Sequence, residues 1–346
     1  MNEKSWSPAA KDGGCCSELE SSGSAAGNPA PPTARRWHVV CDPFSWAGWE
    51  AEGAVRIPGP DGDREGWDRI LKHPPQTEFL LVESVWIDFY KASKLSELLR
   101  LMRVFRKAGI PVFYWAKEDP PHFFEFLPLA LMSDAVFTTE ETCLPRYREA
   151  GFKGPVELLM FAAQPAVHRP YLAKDPEKKV FFAGAGRYRH ADRNAAMEYM
   201  IRPAVAMGCT DLFARTNRYM GLEVWPEDCR PSIRGQLPYE ELLREYSRYL
   251  IGLSVSSVPH SKTMFPRRVV EMPLADIFVI SDNSQAVRRL FPEIPVVQYA
   301  SETRDTIRFF LNHPAEREAR LEALKRRILE KHTYAQSLAL LRSLLV

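Results

Sequence analysis

Two successive runs of alternating strand and helix patterns constrain this chain more than any other feature. The first run places strand candidates at Trp37–Cys41, Phe79–Glu83, Pro111–Trp115, Asp134–Thr139 and Val156–Met160. Between the second and third, Leu95, Leu98, Leu99, Met102 and Phe105 share one face at a period of about 3.6 residues, and Gly109 ends the helix. Strand, helix and strand at this spacing predict a parallel sheet with right-handed crossovers. The pattern then restarts with strands at Lys179–Gly184, Asp211–Ala214, Tyr249–Val255, Ile277–Ser281 and Pro295–Gln298. Helices are expected near 187–200, 239–247, 266–274, 284–290, 302–312 and 314–331. Two doubly wound α/β units enclose a cleft, and such sheets bind ligands at the carboxyl ends of their strands.

A length of 346 residues suits two domains of roughly 150 residues each. Residues 1–35 are rich in Ser, Gly, Ala and Pro and hold few large apolar groups, so the composition predicts a disordered tail. The expected organisation is this tail, a first domain over 36–165, a linker over 166–177 containing Pro170 and Pro176, a second domain over 178–332, and a final helix over 333–346 that packs back toward the first domain. The formal net charge is +2 and no basic block stands out, which argues against a nucleic-acid partner. The six cysteines form no C-x-x-C pair, so neither a disulfide framework nor a zinc site is expected and a reducing, cytoplasmic setting fits. No apolar run reaches the roughly 18–20 residues that span a bilayer, so no transmembrane segment is expected, and the N-terminus lacks the apolar core of a secretion signal.

Four segments carry residues suited to chemistry. In the first, a strand ends in Phe182-Ala183-Gly184-Ala185-Gly186-Arg187. Glycines there let backbone N–H groups approach a phosphate, but the same residues also suit an ordinary strand-to-helix turn, because the full G-x-G-x-x-G pattern is absent. The second segment runs from Pro259 to Asp276 and contains Lys262, Thr263, Arg267, Arg268 and Glu271. Arg267 and Glu271 are four apart and share a helix face. Cations beside a helix start suit a diphosphate, and a carboxylate one turn on suits the two hydroxyls of a ribose. A surface ion pair is the alternative for the same spacing.

The third segment, Tyr114 to Phe124, follows a strand and offers Glu118, Asp119 and His122. His122 could serve as a base, with Glu118 or Asp119 orienting it or binding acceptor hydroxyls. Alternatively, Glu118 and Asp119 cap the following helix. The fourth, Lys331-His332-Thr333-Tyr334, precedes a closing apolar helix and is compatible with simple packing.

Taken together, the chain from about Phe79 to Tyr334 resembles the CgeB-like glycosyltransferases, a family first named for a spore maturation protein. The resemblance is carried by Glu83-Ser84-Val85-Trp86, Phe113-Tyr114-Trp115-Ala116-Lys117-Glu118-Asp119-Pro120, Val136-Phe137-Thr138-Thr139, Phe161-Ala162-Ala163-Gln164-Pro165, Phe182-Ala183-Gly184, Arg267-Arg268-Val269-Val270-Glu271 and His332-Thr333-Tyr334. It implies two Rossmann-like domains facing a cleft, the GT-B glycosyltransferase architecture. The C-terminal domain would bind the nucleotide-sugar donor and the N-terminal domain a glycan or other hydroxyl acceptor, with no cofactor and no bound metal. Glu271 would hold the ribose, and Arg267 or Arg268 with Lys262 would face the diphosphate. The D-x-D sequence Asp61-Gly62-Asp63 lies in a Gly/Pro-rich loop of the first domain. Two positions depart from the pattern. Asp276 stands where the family has a glycine, and Thr263 where related transferases carry a glutamate. A binding module that has lost turnover and a nucleotide-sugar epimerase are the competing readings.

Overall fold

A computed structural model describes residues 36–59, 61–84, 92–171, 177–186, 191–214 and 225–345. Residues 1–35, most of the 172–177 stretch of the expected linker, Val85, Trp86 and Arg187 lie outside the described residues. Six strands form the first sheet: β1 (Trp37–Val40), β2 (Ala54–Arg56), β3 (Leu80–Glu83), β4 (Val112–Ala116), β5 (Ala135–Thr138) and β6 (Val156–Leu158). Their order is β2-β1-β3-β4-β5-β6, and each neighbouring pair is parallel. Five strands form the second sheet: β7 (Glu177–Gly184), β8 (Thr210–Ala214), β9 (Ile233–Gly235), β10 (Tyr249–Ser254) and β11 (Phe278–Ser281). Their order is β11-β10-β7-β8-β9, again parallel.

The strands read as continuous apolar runs because helices cover both faces of each sheet. Alternate residues nevertheless enter different cores. Val40, Leu80, Val82, Val112 and Tyr114 pack with Leu98, Met102 and Phe105 of the helix Ala92–Lys107. Val39, Leu81, Phe113 and Trp115 pack on the other face with Trp49 and with Tyr334, Leu338 and Leu341 of the last helix, Tyr334–Arg342. That helix belongs to the first sheet's core although it follows the second sheet in sequence.

The sequence pattern explains the crossing. Thr333 accepts from the Gln336 N–H, and the Gln336 side chain accepts from the Thr333 N–H, a reciprocal cap that starts the helix. Ala163 pairs with this entry point, donating to the His332 carbonyl and accepting from the Tyr334 N–H. The two chain crossings between the sheets therefore run side by side. Tyr334 then meets Gly48, where an added Cβ would lie 2.3 Å from its ring. Only glycine permits that approach.

Two sequence expectations are corrected, and two strands are added to them. The added edge strands are β2 and β9, three residues each, with an arginine in each and no fully buried residue, so no apolar run marks them. Pro295–Gln298 is not a strand; Val296 makes a single bridge to Ser281. The helix expected from Pro266 begins at Arg268. Among the described residues, no helix is long and apolar enough to cross a membrane.

Candidate functional site

In an open parallel sheet the strand order reverses at a switch point, where adjacent loops leave in opposite directions and open a crevice. In the first sheet this point lies between β1 and β3, and in the second between β7 and β10. Both are lined by charged side chains.

At the first switch point, Asp42 follows β1 and caps the helix Pro43–Ala51 by accepting from the Ser45 N–H. Glu83 ends β3 and is wholly buried. Lys117 follows β4 and reaches both: its Nζ lies 2.6 Å from Asp42 Oδ2 and 2.5 Å from Glu83 Oε2, and it also donates to Ser45 Oγ at 3.1 Å. Trp49 Nε1 donates to the other Glu83 oxygen at 2.7 Å. Burial opposes charge on Lys117, but Asp42 and Glu83 outweigh it and raise its pKa. Burial also opposes the Asp42 carboxylate, yet Lys117 and Arg267 hold it well below the usual range. For Glu83, burial wins and pushes the carboxyl up.

Arg267 brings the second sheet's segment to this cluster. Its guanidinium lies 4.0 Å from Asp42 and 3.9 Å from Glu271, both beyond hydrogen-bonding reach. Its Nη1 is buried with no hydrogen-bond partner among the described residues. The guanidinium is held by aromatic rings, 4.7 Å from the Phe44 centroid and 5.7 Å from that of Tyr239. Burial works against its charge, but Glu271 and Asp42 prevail and raise its pKa. A buried donor without a partner is costly, and here it is aimed between two carboxylates from different sheets.

Glu271 sits on the seven-residue helix Arg268–Leu274 and is buried. Arg267 and Glu271 thus do not form the exposed ion pair that their spacing also allowed. Arg268 donates to the Ala183 carbonyl at 2.7 Å and lies over the Phe182 ring, next to Gly184 at the end of β7. Arg193 reaches the same switch point and donates to the Val255 carbonyl at 2.9 Å. Lys262 is exposed. Thr263 is buried and ties the two sheets together: its hydroxyl donates to the Thr139 carbonyl at 2.9 Å and accepts from the Glu141 N–H at 3.0 Å. At this position the chain has a structural bridge.

The remaining sequence candidates are distributed differently. Gly186 packs against Trp225, where an added Cβ would lie 2.5 Å from the indole, an approach that requires a glycine there. Asp119 is buried, and its Oδ2 accepts from the Thr138 and Tyr147 hydroxyls at 2.7 and 2.8 Å. That bonding supports the loop from within. Glu118 is half-buried. Burial raises its pKa, while Lys117, His122 and Arg267 favour its ionised form. His122 stands at the cap position of the helix Phe123–Met132, and its side chain meets that helix at Glu125, with Nδ1 3.4 Å from Oε1. Asp276 occupies left-handed backbone at φ 65°, the region glycine enters most readily, and its carboxylate pairs with Lys325. The exchange from glycine is therefore a matter of the helix end.

The sequence does not single out Asp42, Tyr239 or His168 as site residues, and Glu83 enters there only within Glu83-Ser84-Val85-Trp86. Asp42-Pro43 after an apolar run carries the signature of a capped helix start, and Glu83 closes a strand. Nothing local marks Tyr239 or His168.

Residues 195–343 match the glycosyl transferase-like family. The match covers Tyr239, Arg267, Arg268 and Glu271. By sequence, no curated protein matches. Among solved structures, the chain is similar to Anabaena HepE in complex with UDP-glucose, at 9% identity and TM-score 0.58, over 90% of this chain and 100% of that one. It is also similar to a trehalose 6-phosphate synthase from Burkholderia multivorans, at 14% identity and TM-score 0.53, over 87% and 81%. TarM shares 8% identity at TM-score 0.52, over 77% of this chain and 54% of its own. At such identities the likeness establishes the fold. The matched residues take in most of the second sheet with its surrounding helices, and the chain as a whole has two parallel-sheet α/β domains that resemble the GT-B fold.

Proposed function

We propose that this protein transfers a sugar from a nucleotide-sugar donor to a hydroxyl of a glycan or other acceptor, without a bound metal ion. The observation that carries the reading is Arg267: a half-buried guanidinium whose Nη1 is buried and unpartnered among the described residues, set between Asp42 of one sheet and Glu271 of the other. The family match over 195–343 and the structural likeness to a UDP-glucose complex support a nucleotide-sugar as the donor. The motifs shared with the CgeB-like transferases support that subfamily.

In this scheme Glu271 accepts hydrogen bonds from the ribose hydroxyls. Arg268, Lys262 and the backbone from Gly184 to Gly186 face the diphosphate and stabilise the charge that develops as the nucleoside diphosphate leaves; Arg187, outside the described residues, is assigned to the same group from the sequence. Protein cations take the place a divalent metal would otherwise fill. Arg267 lies between carboxylates, which favours a ligand hydroxyl there: such a group can accept from the guanidinium and donate to Asp42 or Glu271. Thr263 holds the sheets in register across the cleft. Glu118 and His122 are the acceptor-side acid–base candidates, with Asp119 supporting their loop.

The test is incubation of the purified protein with a panel of nucleotide sugars, with and without EDTA. Release of nucleoside diphosphate at equal rates in both conditions is expected. Loss of the activity in EDTA removes the metal-independent scheme. An isomerised donor indicates an epimerase, binding without turnover indicates a module, and absence of binding across the panel sinks the reading.

A further inference from the structure

The Glu271 carboxylate is held by a chain of hydrogen bonds that starts where the polypeptide crosses between the sheets. The Gln164 N–H donates to His168 Nδ1 at 2.8 Å. That nitrogen is therefore an acceptor, and in the neutral ring the proton sits on Nε2. Nε2 lies 2.9 Å from the Tyr239 hydroxyl, which accepts from it and turns its own proton to Glu271 Oε1 at 2.9 Å. His168 is buried, and burial lowers its pKa against the opposing pull of Glu271, consistent with a neutral ring. The Gln164 side chain anchors the start of the chain to the first sheet's helix, donating to Glu52 Oε1 at 2.7 Å and to the Gly48 carbonyl at 3.4 Å.

We propose that Tyr239 and His168 are positioning residues for the ribose carboxylate: they fix the rotamer of Glu271 and occupy Oε1, so that Oε2 is presented to the nucleotide. The inference rests on the donor-site reading of Glu271. Each link has one polarity. If Tyr239 donated toward His168, it would meet the Nε2 proton and leave a buried carboxylate without its donor, at a large cost. The aromatic ring of Tyr239 is fixed independently by the edge of Phe44, at 5.1 Å between centroids, so the hydroxyl has little freedom to choose another partner. Because Gln164 belongs to the crossing segment, the donor-site carboxylate and the first sheet's helix Pro43–Ala51 with its cap Glu52 are linked through Tyr239, His168 and Gln164.

The test is a ratio measured within each protein by calorimetry: the Kd for a 2′,3′-dideoxynucleoside diphosphate divided by the Kd for the ribonucleotide, using uridine, guanosine and adenosine diphosphates. The ratio cancels the fraction of protein that is folded. Tyr239→Phe keeps the ring and removes the hydroxyl, and it should lower the ratio about tenfold by weakening ribonucleotide binding alone. His168→Phe should lower it in the same direction, which serves if the first variant folds poorly. Tyr239→Phe and His168→Phe with an unchanged ratio, while Glu271→Gln collapses it, would overturn the positioning role and leave the donor site intact. An unchanged ratio in Glu271→Gln, or no binding of any of the three nucleotides, would remove the donor-site reading itself and this inference with it. Equal weakening of both nucleotide forms by Tyr239→Phe would also overturn the proposal, since it would indicate a general packing role.

Discussion

Replacing Lys117 by Met removes the one cation that bonds to both Asp42 and Glu83 while keeping most of the side-chain volume. Lys117 is 3% exposed and Glu83 0%, so the variant leaves two carboxylates in a site built around a positive charge. Breaking a buried pair from one side costs about 3–5 kcal/mol, because the remaining charge is left uncompensated. Arg267, 4.0 Å from Asp42, can take up part of the loss at that carboxylate. It offers nothing comparable to Glu83, which among the described residues keeps the Trp49 N–H bond. The expected loss is therefore near the lower end, about 3 kcal/mol. Urea unfolding followed by tryptophan fluorescence reads it as a lower midpoint at an unchanged slope.

The pH dependence supplies a second readout. In the native protein the Asp42 pKa is depressed below its ordinary 3.8, so its stabilisation is present above that value and is lost as pH falls through the lower, folded-state pKa. Without Lys117, burial raises the carboxyls instead, and the penalty is greatest at neutral pH. It should shrink as pH drops from about 7 to about 5 and protons neutralise the pair. Adding Glu83→Gln to the variant should recover about 1–2 kcal/mol. A deficit below about 1 kcal/mol, or one that does not change with pH, would refute this account of the cluster.

Gly48→Ala should lower stability by at least about 1–3 kcal/mol, the cost of overpacking, because its Cβ would lie 2.3 Å from the Tyr334 ring. Thermal melting reads the loss, and an unchanged melting temperature would show that the last helix is not seated on Gly48. Asp276→Gly exchanges relief of left-handed backbone for loss of the Lys325 pair, so stability should change by less than about 1 kcal/mol. Nucleotide-sugar turnover should stay the same, and a loss of turnover would place Asp276 in the catalytic apparatus after all.

Much of the fold was legible because parallel α/β units write themselves locally. Apolar runs such as Leu80–Glu83 and Phe278–Ser281 and the long stripe from Leu95 to Phe105 report burial residue by residue. The edge strands Ala54–Arg56 and Ile233–Gly235 escaped because neither has a fully buried residue and each carries an arginine, so no apolar run marks them. In the site, Arg267, Arg268 and Glu271 were visible through their spacing in one segment, but whether they formed a surface ion pair or a buried site depended on what lay opposite.

Local pattern, then, determined two doubly wound units, their order and the segment that carries the cations and the carboxylate. Tertiary structure alone decided which distant residues meet them. Asp42, Glu83 and Lys117 converge because the strand order places β1, β3 and β4 side by side. Tyr239 and His168 reach Glu271 across 32 residues of chain in one case and by way of the crossing segment in the other. A residue's type and neighbours in sequence fix what it can donate or accept. Its charge state and its partner are set by burial and by packing against residues far along the chain, and those belong to the folded protein as a whole.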